Sequence, residues 1–255
     1  MSELSRRALF AGLSATAALG LAGCSATRTP GPQVDAALVT PGQGDPAGTE
    51  IGPIDSDYKA MYGAVQGDPF PVPAVDLSRI KPAFMRKEVA YQTTEAPGTI
   101  IVDPHAHYLY HVLANGRAMR YGVGVGREGF LWAGTAMIHD KQEWPDWYPP
   151  KEMFDRQPEI KKEMSKLQSG LGMHGGPGNP LGARAMYLWE NNKDTLYRIH
   201  GTVEPWTIGS SVSSGCIRMI NQDAINLYAA TAVGTKVVVL AVSGTGVANS
   251  ASATL

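Results

Sequence analysis

Residues 99–125, TIIVDPHAHYLYHVLANGRAMRYGVGV, hold the pattern that sets the fold class. Thr99-Ile100-Ile101-Val102 and Tyr108 to Leu113 are β-branched or aromatic, and Asn115-Gly116 is a strong two-residue hairpin signal ahead of Ala118 to Val125. An antiparallel meander is expected. Further along, Ala133 to His139, Ala185 to Trp189, Thr195 to His200 and Lys236 to Val242 supply more strand candidates. Helices are few. Pro158 opens one that carries Ile160, Met164 and Leu167 and ends at Gly170. A second takes Asn221 as its N-cap, turns Ile225, Tyr228, Ala229 and Ala232 to one face, and stops at Gly234. The compact domain expected from this pattern spans residues 89–242, roughly 150 residues and enough for one core.

The flanks read differently. Residues 1–23 form an export signal, with Arg6 and Arg7 ahead of a short apolar stretch from Ala8 to Ala22. That stretch is shorter than the about 20 residues a membrane-spanning helix needs. Ser5-Arg6-Arg7-Ala8-Leu9-Phe10 resembles a twin-arginine signal, while ordinary secretion also uses arginine pairs, so the route stays open. Leu21-Ala22-Gly23-Cys24-Ser25 looks like a bacterial lipobox, which makes Cys24 the expected lipidation site and a membrane anchor. Residues 24–88 begin as a Pro-, Gly- and Thr-rich tether. Residues 51–88 also carry Tyr58, Met61, Tyr62, Phe70, Phe84 and Met85, enough apolar material for partial docking, and whether they dock stays open. Residues 243–255 are a small, polar tail. Without residues 1–23 the chain keeps 20 basic and 22 acidic residues, with no basic stripe, so a nucleic-acid partner is not expected.

Only two cysteines are present, and they have separate tasks: Cys24 at the processing site, and Cys216 in Ser213-Ser214-Gly215-Cys216-Ile217-Arg218-Met219. The second lies sixteen positions after His200-Gly201. A lone cysteine is commonly a small buried hydrophobe. Cys216, however, follows Ser-Ser-Gly and precedes Arg218, whose charge would favour a thiolate and could hold an anionic group. His200 ends a strand-like run and is the expected general base. A thiol, a base and a flexible backbone for an oxyanion make acyl transfer the natural chemistry.

Other clusters read as bland. His105, His107 and His111 alternate like a strand face, with Tyr108, Tyr110 and Val112 opposite. They are expected to be its solvated side, and no metal is predicted. Gly124-Val125-Gly126-Arg127-Glu128-Gly129 fits a dinucleotide fingerprint in letters only, because the following residues stay extended; the glycines are expected to shape a bend, and no cofactor is predicted. Trp144-Pro145-Asp146-Trp147-Tyr148-Pro149-Pro150 either stacks on a substrate or packs onto the body, and His139 and His174 are placed with Trp144 as candidate substrate contacts.

Ile199-His200-Gly201-Thr202, Trp206-Thr207-Ile208-Gly209, the Cys216 motif and Asn221 closely resemble the L,D-transpeptidase (YkuD-type) family, over most of residues 98–241. The resemblance implies a mostly β domain, a YkuD-like β-sandwich or open barrel with about two peripheral helices. It implies that Cys216 attacks a peptidoglycan stem peptide and passes the acyl group to an amine. It implies that a backbone carbonyl, at Gly201 here, orients His200. Backbone N–H groups of Ser214, Gly215 and Cys216 would hold the oxyanion, with Arg218 and Ser213 as substrate contacts. Many family members have histidine where this chain has Ser214. Hydrolysis as an L,D-carboxypeptidase, D-amino-acid exchange, and a non-catalytic wall-binding lipoprotein are the competing readings. The expected location is the periplasmic side of the cell envelope, with the outer membrane favoured by Ser25. The oligomeric state is not legible.

Overall fold

The computed structural model describes residues 56–126, 132–149, 151–213 and 215–241. The expected signal, Cys24, the expected tether up to residue 55, Ser214 and the expected tail 243–255 lie outside these residues. In chain order the elements are α1 (Ser56–Met61), β1 (Lys87–Ala90), β2 (Ile100–Asp103), β3 (Tyr108–Val112), β4 (Arg117–Gly122), β5 (Val125–Gly126), β6 (Gly134–Glu143) and α2 (Lys151–Arg156). They continue with β7 (Ser165–Leu167), β8 (Gly170–Gly172), β9 (Arg184–Glu190), β10 (Lys193–His200), β11 (Ser211–Ser213), β12 (Ile217–Arg218), α3 (Asn221–Ala230) and β13 (Lys236–Val239). The described chain is mostly β, as expected.

The meander β2–β3–β4 is antiparallel. Asn115 and Gly116 both take positive φ, 60° and 67°, the geometry that lets a two-residue turn follow the strand twist. Alternation along the strands loads both faces. Val102 pairs Leu109 on one side, while Ile101 pairs Tyr110 on the other, and all four are buried. His111 is a correction to the sequence reading: it pairs with Ile100 on the main-core face and is buried rather than solvated. His105 and His107 lie in the turn before β3, where His107 takes φ 58° and its Nε2 lies 3.2 Å from Ser211 Oγ. The strand that was to align the three histidines begins only at Tyr108.

Nine strands form one sheet in the order β1-β4-β3-β2-β13-β6-β9-β10-β12, parallel between β2 and β13 and between β10 and β12. Gly124, just past β4, exchanges two backbone hydrogen bonds with Arg218 of β12, at 2.9 and 2.8 Å, and β5 pairs with β11. The meander thus reaches round to the far edge of its own sheet. Tyr121 of β4, Ile199 of β10, Ile217 of β12 and Leu227 of α3 accordingly share one apolar cluster despite their separation in strand order. A Cβ on Gly124 would sit 3.2 Å from the Thr207 carbonyl, so this glycine serves a close backbone approach.

Two helical expectations need correction. Residues 158–170 form a 3-10 turn (Pro158–Glu163) and the hairpin β7–β8, not one helix. Ile160, Met164 and Leu167 are only half-buried, so no core face stabilises a helix there, and short helices depend on such packing. In α3 the buried residues are Gln222, Asp223, Ala224 and Leu227, whereas Ala229 and Ala232 are exposed. The face chosen from apolar spacing is displaced because the N-terminal segment also covers this helix.

That segment, residues 56–86, docks. Tyr62, Ile80 and Met85 form a cluster with Ile208 and Ile220. Tyr62 OH donates to Asp223 Oδ2 at 3.1 Å and accepts from Arg86 N–H at 2.6 Å. Asp68 forms a fork with Arg184, at 2.9 and 2.5 Å, and accepts from Trp144 Nε1 at 2.7 Å. Together these contacts make the segment a strap that is part of the folded body.

Candidate active site

β10 ends at His200, and β12 opens immediately after Cys216. Their parallel pairing sets Ile199 against Ile217 and His200 against Arg218. Both isoleucines point into the core, so alternation turns Arg198, His200 and Arg218 to the opposite face. Extending the register back one pair brings Cys216 beside Arg198, whose backbone hydrogen-bonds the sulfur. By this register the imidazole and the thiol fall on the same face of the β10–β12 edge. Arg198 and Arg218 act electrostatically on both groups, as that placement requires.

His200 Nδ1 donates to the Gly201 carbonyl at 2.6 Å. A carbonyl can only accept, so in the neutral ring this bond places the proton on Nδ1. The ring is 4% exposed, and burial lowers its pKa to about 4 against the pull of the Gly201 and Leu181 carbonyls. The turn behind it is pinned: Gly201 N–H donates to Arg184 O at 3.0 Å, and Met219 N–H donates to His200 O at 2.8 Å.

Cys216 is a free, half-buried thiol. Burial pushes its pKa upward and outweighs the opposing backbone hydrogen bond from Arg198 and the charges of Arg198 and Arg218. Arg218 does act in favour of the thiolate, as expected from the sequence, but desolvation outweighs it, and the resting pair is thiol and neutral imidazole. Arg218 is engaged with Glu204 at 3.2 Å, and Arg198 forms a two-pronged pair with Asp194, at 2.8 and 2.8 Å.

Other expected site residues fall elsewhere. Ser213 is buried; its hydroxyl donates to the Cys216 carbonyl at 2.6 Å and accepts from Gly215 N–H at 3.2 Å. It braces the nucleophile loop instead of facing a substrate, and it occupies one of the three expected oxyanion donors. Trp144 is buried with Val72 and Ala183 and bound to Asp68, so it anchors the strap, and it lines a cavity that Cys216 and His200 do not reach. His174 is exposed and lies 3.4 Å from Asp146, while His139 stacks on Trp189 at 3.8 Å. Neither contact involves Cys216 or His200. Among the described residues no cluster of three or more ligating side chains is suited to a metal. A cavity of about 270 Å³ lies between the strap and the Thr202–Trp206 turn, lined by Val75, Arg79, Trp206 and Asn221 among others, but not by Cys216 or His200.

Arg198, Leu181 and Asn221 also shape this site. Arg198 was legible in principle, two residues before His200 on one strand. Leu181 acts through a backbone carbonyl, which carries no sequence signal.

The L,D-transpeptidase catalytic domain family model (YkuD) matches residues 97–239. A protein of Escherichia coli (strain K12) described as the probable L,D-transpeptidase ErfK/SrfK is 32% identical over 148 residues, covering 55% of this chain and 43% of that protein. The match therefore spans less than half the length of that relative. An L,D-transpeptidase from Mycobacterium smegmatis is 17% identical, with a TM-score of 0.40, over 57% of this chain and 59% of that one. A Brucella melitensis structure titled a probable carnitine operon oxidoreductase is 50% identical over 65% of this chain and 99% of that one, with a TM-score of 0.43. With the family match covering more than half of its length and both motif segments, this chain belongs to the YkuD family of L,D-transpeptidase catalytic domains.

Proposed function

We propose that this chain is a peptidoglycan L,D-transpeptidase working through a cysteine acyl-enzyme. The Cys216 sulfur attacks the carbonyl of a stem peptide at the bond to its terminal D-residue, while Nε2 of His200 takes the thiol proton. The C–N bond then breaks, the departing amine takes that proton from the imidazolium, and a thioester remains on Cys216. An acceptor amine attacks the thioester, gives its proton to His200, and the thiol is restored. Concerted proton removal suits a thiol whose pKa is raised beside an imidazole whose pKa is lowered, because neither group is ionised beforehand. The Cys216 N–H, and the Gly215 N–H once released from Ser213, would receive the oxyanion; Ser214 belongs to the same expected set. Arg218 would meet a substrate carboxylate by exchanging Glu204 for it.

The observation that supports this reading is the His200 Nδ1–Gly201 carbonyl bond, which holds the neutral ring's proton on Nδ1 without an acidic partner, so that Nε2 is the nitrogen left to take the thiol proton. Purified protein incubated with tetrapeptide-bearing muropeptides, with products resolved by mass, is expected to give cross-linked dimers; Cys216→Ala is expected to give none. Tripeptides alone would make it an L,D-carboxypeptidase, and exchanged stems a D-amino-acid exchanger. If neither peptide nor carbapenem modifies Cys216 in folded protein, the wall-binding reading replaces all three.

We also infer export and lipid anchoring at Cys24 on the periplasmic side of the envelope. The supporting feature is the Leu21-Ala22-Gly23-Cys24-Ser25 motif. Radiolabelled palmitate should enter the wild type and not Cys24→Ala. Among the described residues no helix is long and apolar enough to cross a membrane.

A further inference from the structure

Asn221 opens α3 in the place where the sequence suggests a helix cap, yet the N-cap position is Ile220 and no side chain caps the helix. The amide of Asn221 instead spans two backbone segments. Oδ1 accepts from Ala183 N–H at 3.0 Å, and Nδ2 donates to the Thr202 carbonyl at 3.0 Å. The gap it fills is closed to anything larger: a Cβ on Gly201 would lie 2.0 Å from Asn221 Oδ1, and one on Gly182, where φ is +64°, would lie 2.2 Å from the same atom.

Three restraints therefore act on the turn after His200. Gly201 N–H is held by Arg184 O, the Gly201 carbonyl by His200 Nδ1, and the Thr202 carbonyl by Asn221 Nδ2. The middle bond sets the catalytic tautomer, and it holds only if the Gly201–Thr202 peptide plane keeps its orientation. Glycine at 201 gives that plane little intrinsic stiffness, so the outer restraints must supply it. Asn221 is itself backed from the strap side: its neighbour Gln222 donates through Nε2 to Gly63 O at 3.0 Å and Pro73 O at 2.9 Å.

We propose that Asn221 is a positioning residue for His200, clamping the Thr202 carbonyl so that the Gly201 carbonyl stays in place for Nδ1. The proposal rests on His200 being the base in the acyl-transfer reading above. Without the clamp the peptide plane turns, the acceptor for Nδ1 weakens, and part of the population carries its proton on Nε2, where it cannot accept one from Cys216.

The test uses the wild type, Asn221→Ala and Asn221→Asp. The aspartate variant keeps the shape and the acceptor for Ala183 N–H but presents an oxygen to the Thr202 carbonyl, so it remains informative if alanine leaves a cavity too large for folding. Two readouts are compared. Nitrogen-15 spectra of labelled histidine report the His200 tautomer and require no substrate. Stopped-flow acylation by a carbapenem reports chemistry.

A single Nδ1–H tautomer is expected in the wild type, with a tautomer mixture in the variants. Acylation is expected to slow by about 10- to 100-fold, in line with the effect of small misplacements of a reacting group. Folded variants that keep the wild-type tautomer, or that acylate within twofold of wild type, overturn the proposal. If the wild type itself is not acylated, the acyl-transfer reading fails on that observation, while the tautomer comparison alone still decides what Asn221 does.

Discussion

The strap over residues 56–86 and the β10–β12 edge lie on either side of Asn221 and Gln222, and they are built in different ways. The strap is held by large side chains and buried charge: Tyr62 and Met85 are fully buried, and Asp68 neutralises an Arg184 that is 7% exposed. The β10–β12 edge is held by short backbone contacts shaped by glycine, with one imidazole and one thiol at its centre. Large buried contacts give stability and tolerate small displacements poorly only in energy. A catalytic proton path tolerates them poorly in rate, even where stability is unaffected. Damage to the strap should therefore register mainly in unfolding, and damage to the edge mainly in chemistry.

The largest effect that would sharpen this contrast is at His200. His200→Ala should slow carbapenem or peptide acylation by the folded protein about a thousandfold, within the usual range for losing a general base, together with a loss of thermal stability because a buried ring leaves a cavity. In the wild type the same rate should fall as pH drops through about 4, where the imidazole takes a proton, and should hold steady through neutrality. A rate midpoint near 6.5 would mean the ring is solvated and the site more open than described.

Next in size is Asp68→Ala, which leaves the buried Arg184, among the described carboxylates, only the longer contact to the exposed Glu143, at 3.9 Å, and should cost about 3 kcal/mol in denaturant unfolding. Acylation by the remaining folded protein should stay within twofold of wild type; a large loss would show that the strap takes part in catalysis and would break the comparison. Gly201→Ala should act in the opposite sense, with about a hundredfold slower acylation, because its Cβ would collide with Asn221 and displace the carbonyl that orients His200.

The smallest effect is a pH slope. Asp223 is buried where strap and α3 meet; Oδ2 accepts from Tyr62, and Oδ1 has Arg86 Nη1 at 3.4 Å. Burial raises its pKa to about 7, so the folded state binds a proton that the unfolded state has lost above about 4. The stability contributed by this group is present in full below about pH 4 and is lost as pH rises through 7. The buried His200 acts in the opposite sense over part of this range and is common to both proteins, so the change in melting temperature from pH 5 to pH 8 should be more positive in Asp223→Asn than in the wild type. An equal change in the two would assign the slope to other groups.

Much of the sheet was legible because β2, β3, β4, β9 and β10 carry β-branched and aromatic runs bounded by Gly, Asn and Pro, and such patterns reflect burial that any fold must satisfy. The region after Pro158 was misread because its apolar spacing suits a helix but finds no surface to bury against. The buried face of α3 was misread for the converse reason, since Gln222 and Asp223 are polar yet lie beneath a strap whose docking composition alone could not decide. At the site, Cys216 and His200 stood out by chemistry. The bonds of Ser213 to the Cys216 carbonyl and of Trp144 to Asp68 were not legible, because a hydroxyl or an indole looks the same in a sequence whether it faces a ligand or the protein itself.

The sequence by itself determined the strand pattern, the hairpin at Asn115-Gly116, and which thiol and imidazole are the candidates for nucleophile and base, because local sterics, hydrophobic periodicity and side-chain chemistry belong to residues wherever they are placed. Only the tertiary structure decided which charge state the pair rests in, which carbonyl orients His200, and that Asn221 clamps the turn behind it. Those properties come from desolvation and from backbone groups brought together by chain closure, and neither is encoded at a single position.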